Sequence, residues 1–271
     1  MEFRELYRSV FAILRIEGQN ARVAGTGFVI NTNPIYILTC HHVVSDGTEQ
    51  NNGTVRYSIT KRTDNFDEFD LRQAQISFYR ARRIVFNPEA DLAILEIDSA
   101  ENQQVFDQLN IGNSPELDLS FDAADRTPGA DIEWLSTGAV GDSSLTPRFF
   151  KGNLITRYRI NQNYTFRNNQ GVNITQLMDG IHLLEVDKLF IPGSSGSPIL
   201  DVESERVIGY VHGFRSWPIM TNSLISHLVE LTENTNTRNA NLRYNIPLAT
   251  SLSLGIDLRS VETYLRENHF I

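Results

Sequence analysis

The sequence predicts an all-β protein of two β-barrels closed by a C-terminal helix. Three observations carry that expectation. Short apolar and β-branched runs recur along the whole chain. Long polar stretches with Asn, Asp and Gly turn signals separate them. The last stretch, Leu258–Phe270, turns to helical periodicity, with Asp257 placed as its N-cap.

Residues 10–16 (VFAILRI) and 23–30 (VAGTGFVI) read as strands, and Gly25 and Gly27 mark a bulge or close backbone approach in the second. Residues 34–40 (PIYILTC) form another β-rich run, closing on His41 and His42. A polar loop follows from Ser45 to Gly53, and Thr54–Thr60 alternates as a strand does. Arg62–Asp70 is charged and reads as a loop, 73–79 and 82–86 as strands, and 91–97 (DLAILEI) as a short buried strand. The polar, acidic stretch from about Ser99 to Thr127 reads as the connection between halves, so the chain divides into residues 1–115 and 116–271. Further β-like runs cover 131–136, 148–160, 181–187, 197–200, 206–212 and 242–248. Leu224, Leu228 and Leu231 share a helical face within Leu224–Glu233.

With 41% hydrophobic residues the chain can fill a sizeable core, and compositional disorder is excluded. Lys and Arg count 24 against 33 Asp and Glu, a net charge of -9. That balance repels phosphate backbones and makes nucleic acid a poor partner. The one cysteine, Cys40, allows no intrachain disulfide. No signal-peptide pattern opens the chain and no stretch has the length of a membrane span. The expectation is a cytoplasmic protein in a reducing compartment, with no membrane partner.

Three local patterns carry chemistry: 37–44 (ILTCHHVV), 90–96 (ADLAILE) and 192–199 (PGSSGSPI). Acyl transfer at neutral pH needs a hydroxyl nucleophile, a base for its proton, and an anion that holds the base in the right tautomer. Backbone N–H groups must also meet the oxyanion of the tetrahedral intermediate. Ser195 lies between Gly193 and Gly196, which permit a tight turn with exposed amides, so the Gly193 and Ser195 N–H groups are the candidate oxyanion hole.

These patterns resemble the trypsin-like (chymotrypsin-fold) serine peptidases, and most closely their bacterial HtrA/DegP-like branch. T-C-H-H-V-V is similar to that branch's T-x-x-H-V-V and implies His42 as catalytic base. A-D-L-A-I-L is similar to its D-L-A motif and implies Asp91 as the acid. P-G-S-S-G-S-P is similar to P-G-N-S-G-G-P and implies Ser195 as the nucleophile. The order His, Asp, Ser fits that family, and the resemblance runs from about Val10 to Pro247. It implies two antiparallel six-stranded barrels, the first carrying His42 and Asp91, the second Ser195 and the C-terminal helix. It implies no cofactor and no metal, and no PDZ-like region is read after the last strand. His41 competes with His42, but neighbours on an extended chain point opposite ways, and the motif favours His42. Ser194 is the alternative hydroxyl, Asp187 and Asp201 read as turn residues, and Cys40 as a small buried residue.

The segment 207–214 (VIGYVHGF) is similar to the family's substrate-pairing strand, which implies that His212, Gly213 and Phe214 line the substrate. His212 stands where a small polar residue usually supports the acid. It either takes that role or is structural. The resemblance implies that Leu189 falls at the base of the P1 pocket and Phe214 near its mouth, so a small or medium apolar P1 residue is expected over Arg or Lys. Ser197 replaces a usual Gly. Ser194 replaces the acid that pairs with a freed N-terminus in secreted trypsins, so control falls to a partner protein or a loop rearrangement. The expectation is an endopeptidase acting on protein or peptide substrates, of the kind found in bacterial defence or signalling. The alternative is a catalytically inactive trypsin-fold binding module.

Overall fold

In the computed structural model of the protein, the alternating runs close into two barrels. It describes residues 3–17, 19–44, 55–60, 79–97, 116–137, 145, 147–167, 173–188, 190–218 and 249–271. The first barrel is built from β1 (Val10–Glu17), β2 (Asn20–Thr32), β3 (Ile35–Cys40), β4 (Val55–Thr60), β5 (Tyr79–Asn87) and β6 (Leu92–Ile97). They pair in the order β1-β2-β3-β6-β5-β4, and β1 closes the ring against β4. The second comprises β7 (Asp131–Ser136), β8 (Arg148–Arg167), β9 (Asn173–Val186), β10 (Pro198–Asp201), β11 (Val207–Pro218) and β12 (Ala249–Asp257). Its order is β10-β11-β12-β9-β8-β7, closed by β7 against β10, and every pairing in both barrels is antiparallel. Closure pairs most of each ring and leaves one side of β11 open beyond Val211 among the described residues.

Buried apolar side chains fill both rings and the seam between them. Phe11, Ile13, Phe28, Ile37, Leu38, Ile59 and Leu92 are fully buried in the first. Each contributes on the order of 1.5–3 kcal/mol of burial free energy. In the second, Trp134 stacks on Phe150 at 5.3 Å between ring centroids and meets the edge of Phe190 at 5.0 Å. A larger apolar cluster crosses between the barrels, joining Phe28, Leu38 and Leu92 to Leu200, Val207, Tyr210 and Leu254. That continuity fixes the cleft in which the candidate residues meet.

The connection between halves is pinned by a buried cation. After a short 3-10 turn η1 (Ala123–Asp125), Arg126 lies fully buried, with Nε 2.7 Å from Asp257. Its other nitrogens donate to the carbonyls of Asp122, Ser120 and Ile208. Asp257 also pairs with Arg259 at 2.5 Å. Desolvation lowers the Arg126 pKa and Asp257 opposes that, so the guanidinium stays charged.

Several elements differ from expectation. The C-terminal helix is shorter: Asp257 caps a 3-10 turn η2 (Leu258–Ser260), and the α-helix proper is Glu262–Glu267. Ala249–Asp257 forms a strand where the sequence reading placed no element. A helix at Phe3–Ser9 precedes β1. β8 and β9 run past the barrel as a two-stranded ribbon, paired as far as Arg167 with Asn173. β7 covers only Arg148–Asn153 of β8, and β12 only Leu183–Val186 of β9. The expected strand at 242–248, most of the one at 73–79, and the helix Leu224–Glu233 lie outside the described residues.

Candidate active site

His42 lies on a single helical turn, His41–Val44, that follows β3 directly. The pair is therefore not extended, as the sequence argument assumed, and His42 is nevertheless the histidine that meets the acid. Asp91 ends the turn before β6, with its N–H on the Pro88 carbonyl and its own carbonyl accepting from His41 N–H at 2.9 Å. Its φ is +48°, in the left-handed region that Asp tolerates better than most residues. The side chain is thereby carried under the His42 turn. His42 Nδ1 lies 2.7 Å from Asp91 Oδ2, and the His42 backbone N–H donates to Asp91 Oδ1 at 2.9 Å.

The acid has a second imidazole. β11 carries a bulge at His212, between the pairs Val211–Gly255 and Gly213–Leu254. Two residues earlier, the Tyr210 hydroxyl donates to the Ala90 carbonyl at 2.8 Å, and His212 Nδ1 reaches Asp91 Oδ2 at 2.6 Å. Tyr210 and His212, facing the first barrel, thus hold its consecutive residues Ala90 and Asp91. The two imidazoles meet edge to face, centroids 5.7 Å apart. His212 therefore contacts the acid directly.

Asp91 is wholly buried. Burial alone would raise its pKa. The charge of His42 and the hydrogen bonds from His212 and His42 outweigh that and hold the carboxyl far below the usual carboxylate range. Burial and the nearby Asp91 carboxylate push the Cys40 thiol well up, so it remains protonated, with its Sγ donating to the Val211 carbonyl at 3.1 Å. A cysteine nucleophile is disfavoured on that ground. Cys40, His42 and Asp91 bring potential metal donors within 4.8 Å of one another. The His42 and Asp91 donors, however, are 2.7 Å apart and hydrogen-bonded to each other. Ligands about 2.0–2.2 Å from a tetrahedral zinc would stand roughly 3.3 Å apart, so a metal would have to break that pair.

The loop that carries Ser195 lies between Phe190 and β10. Gly193 (φ +100°) and Gly196 (φ +85°) both occupy backbone conformations that side chains disfavour. A Cβ on Gly196 would run into the Thr26 carbonyl and the Thr39 hydroxyl. The loop is braced by Ser194 N–H to Ile191 O, Ser197 N–H to Ser194 O and Gly196 N–H to Val211 O. Among the described residues, the Gly193 and Ser195 N–H groups have no hydrogen-bond partner. The Ser195 hydroxyl donates to the His212 carbonyl at 3.4 Å. The Ser194 and Ser197 hydroxyls are buried and find no partner among the described residues.

Three contacts were not anticipated: Tyr210 on Ala90, the Cys40 thiol on Val211, and Thr26 on the Ser195 loop. Gly25 and Gly27 did signal the last. β1 and β2 shift register between Ile13 and Leu14, and a Cβ on Gly25 would lie 2.8 Å from the Ser195 carbonyl. Asp187 is exposed and accepts the Asn153 N–H, while Asp201, expected in a turn, is the buried last residue of β10 and accepts the Ser204 N–H of the turn that follows. Gly213 and the Phe214 backbone lie on β11, paired with Leu254 and Ser253. Leu189 lies outside the described residues. No strand pairs with β11 beyond Val211 on the side away from β12, among the described residues.

Solved structures with this architecture include the Rv3671c protease from M. tuberculosis in its active form. It has a TM-score of 0.55 and 17% identity over 97% of this chain and 82% of that one. Its inactive form gives 0.51 and 16%, over 97% and 90%. Deg5 gives 0.51 and 18%, over 78% of this chain and 82% of that one. At these identities the likeness is one of fold. A search of curated proteins found no match. The family described as the trypsin-like peptidase domain matches residues 25–209, a span that contains His42, Asp91 and Ser195. The chain belongs to the trypsin-like peptidase family.

Proposed function

We propose that the protein is a serine endopeptidase in which Ser195 is the nucleophile, His42 the base and Asp91 the acid. The observation that carries this reading is the buried Asp91 carboxylate on His42 Nδ1 at 2.7 Å, with the Ser195 turn across the same cleft. Asp91 holds Nδ1 protonated, which leaves His42 Nε2 as the acceptor for the Ser195 proton. Ser195 Oγ attacks the peptide carbonyl, and the oxyanion takes the Gly193 and Ser195 N–H groups. His42 then gives its proton to the leaving amine as the C–N bond breaks, forming an acyl-enzyme. Water, activated by the same imidazole, releases the acid and restores Ser195. The substrate backbone would extend the open edge of β11 from His212 to Phe214. Leu189 and Phe214 remain our candidates for the P1 pocket, favouring an apolar side chain, and a cytoplasmic setting remains our expectation.

A catalytically silent binding module is the second reading. The observation in its favour is the Ser195 hydroxyl on the His212 carbonyl rather than on His42. The hydroxyl must move from that carbonyl to His42 for turnover, and we assign that step to a partner or loop change, because uncharged Ser194 offers no ion-pair partner to a new N-terminus. Hydrolysis of a peptide library by the full chain, lost in Ser195→Ala and kept in Ser194→Ala, supports the protease. A folded chain that binds peptides and cleaves none supports the module.

A further inference from the structure

We propose that Thr26, on β2 of the first barrel, is a positioning residue for the oxyanion hole of the second. This inference rests on Ser195 being the nucleophile. The Gly193 and Ser195 N–H groups belong to the peptides 192–193 and 194–195. Thr26 grips the two peptides that alternate with them. Its hydroxyl donates to the Gly193 carbonyl at 2.8 Å, and its backbone N–H donates to the Ser195 carbonyl at 2.8 Å.

Gly193 is the softest joint of this loop, because without a Cβ it can turn its peptide planes at small cost. A rotated plane would aim a carbonyl where the oxyanion needs an amide. The Thr26 hydroxyl removes that freedom. It has one proton, given to Gly193, and it accepts the Thr137 N–H at 3.4 Å. Thr26 is itself held, since its carbonyl takes the Thr39 hydroxyl at 2.6 Å. Thr26 and Thr39 are both fully buried, so water does not substitute for a lost partner. The close approaches at Gly25 and Gly196 bring β2 near enough for these bonds.

Thr26→Val keeps the shape and removes the hydroxyl. Its expected effect is a fall in kcat of about ten- to a hundredfold, less than the outright loss of an oxyanion donor. KM should stay within about twofold. Affinity for a peptide boronate, whose tetrahedral anion needs the hole, should fall in step with kcat. Peptide binding should be the same in Ser195→Ala with and without Thr26→Val. Thr26→Ser should restore kcat and boronate affinity. If Thr26→Val does not fold, Thr26→Ala must show the same loss and Thr26→Ser must not. Wild-type kcat in Val or Ala, a loss that Ser does not rescue, or an equal loss of ground-state binding overturns the role of Thr26 alone. An inert, unlabelled wild-type chain overturns it together with the Ser195 assignment.

Discussion

Replacing Asp91 by asparagine keeps the side chain's shape and removes its charge. Asp91 Oδ2 takes both imidazoles, at 2.7 and 2.6 Å, while Oδ1 takes the His42 N–H. An asparagine can satisfy all three contacts in one orientation. Its oxygen faces the backbone N–H, and its two amide hydrogens face the two Nδ1 atoms. Both histidines must then carry their proton on Nε2, and His42 can no longer accept one from Ser195. The variant is therefore expected to fold and to be nearly inactive. At 2.7 Å and an effective dielectric constant of about 20, the carboxylate stabilises an imidazolium by ~6 kcal/mol. At about 1.4 kcal/mol per tenfold, this corresponds to roughly 10⁴ in kcat. Steady-state hydrolysis and the nitrogen shifts of the imidazoles by NMR measure both halves. A kcat within tenfold of wild type, or Nδ1 still protonated on His42, would refute the reasoning.

Three other perturbations follow from the same geometry. Arg126→Met should lower unfolding free energy in urea by about 3–5 kcal/mol, since it strips Asp257 of one partner and leaves three carbonyls unsatisfied; Arg126→Lys should rescue little, and a wild-type midpoint in either would contradict the staple. Folding lowers the Asp91 pKa from about 3.9 in the unfolded chain, so its contribution to stability is present above that pH and is lost as pH falls through the folded value. Asp91→Asn should flatten that acid limb, and an unchanged limb would count against it. Cys40, buried and held protonated, should resist iodoacetamide in the native state and react on unfolding; native alkylation at the rate of a free thiol would show that the thiol is not sequestered.

The meeting of His42 with Asp91 was legible because each sits in a short pattern of residue types that acid–base chemistry demands. What the sequence left open depends on long-range geometry. His212 reaches an acid 121 residues away, and does so through a bulge that no local pattern announces. β12 was hidden because Ser251, Ser253 and Gly255 interrupt its apolar alternation, although Ser253–Leu258 are buried. The terminal helix was overextended because Leu258, Val261 and Leu265 fit helical periodicity. A 3-10 turn followed by a short helix buries them equally well. The outer β8–β9 ribbon carries polar residues such as Asn161, Gln162 and Asn163, which give no core-facing pattern. Strand pairing, not burial periodicity, defines it.

The most direct test of the account is the site at which a fluorophosphonate probe reacts. Intact mass and peptide mapping of the full-length chain should show one adduct, on Ser195. The adduct should be absent in Ser195→Ala, retained in Ser194→Ala and formed far more slowly in Asp91→Asn. A folded chain that takes no adduct, or takes it on Ser194, would contradict the assignment of Ser195 as the nucleophile.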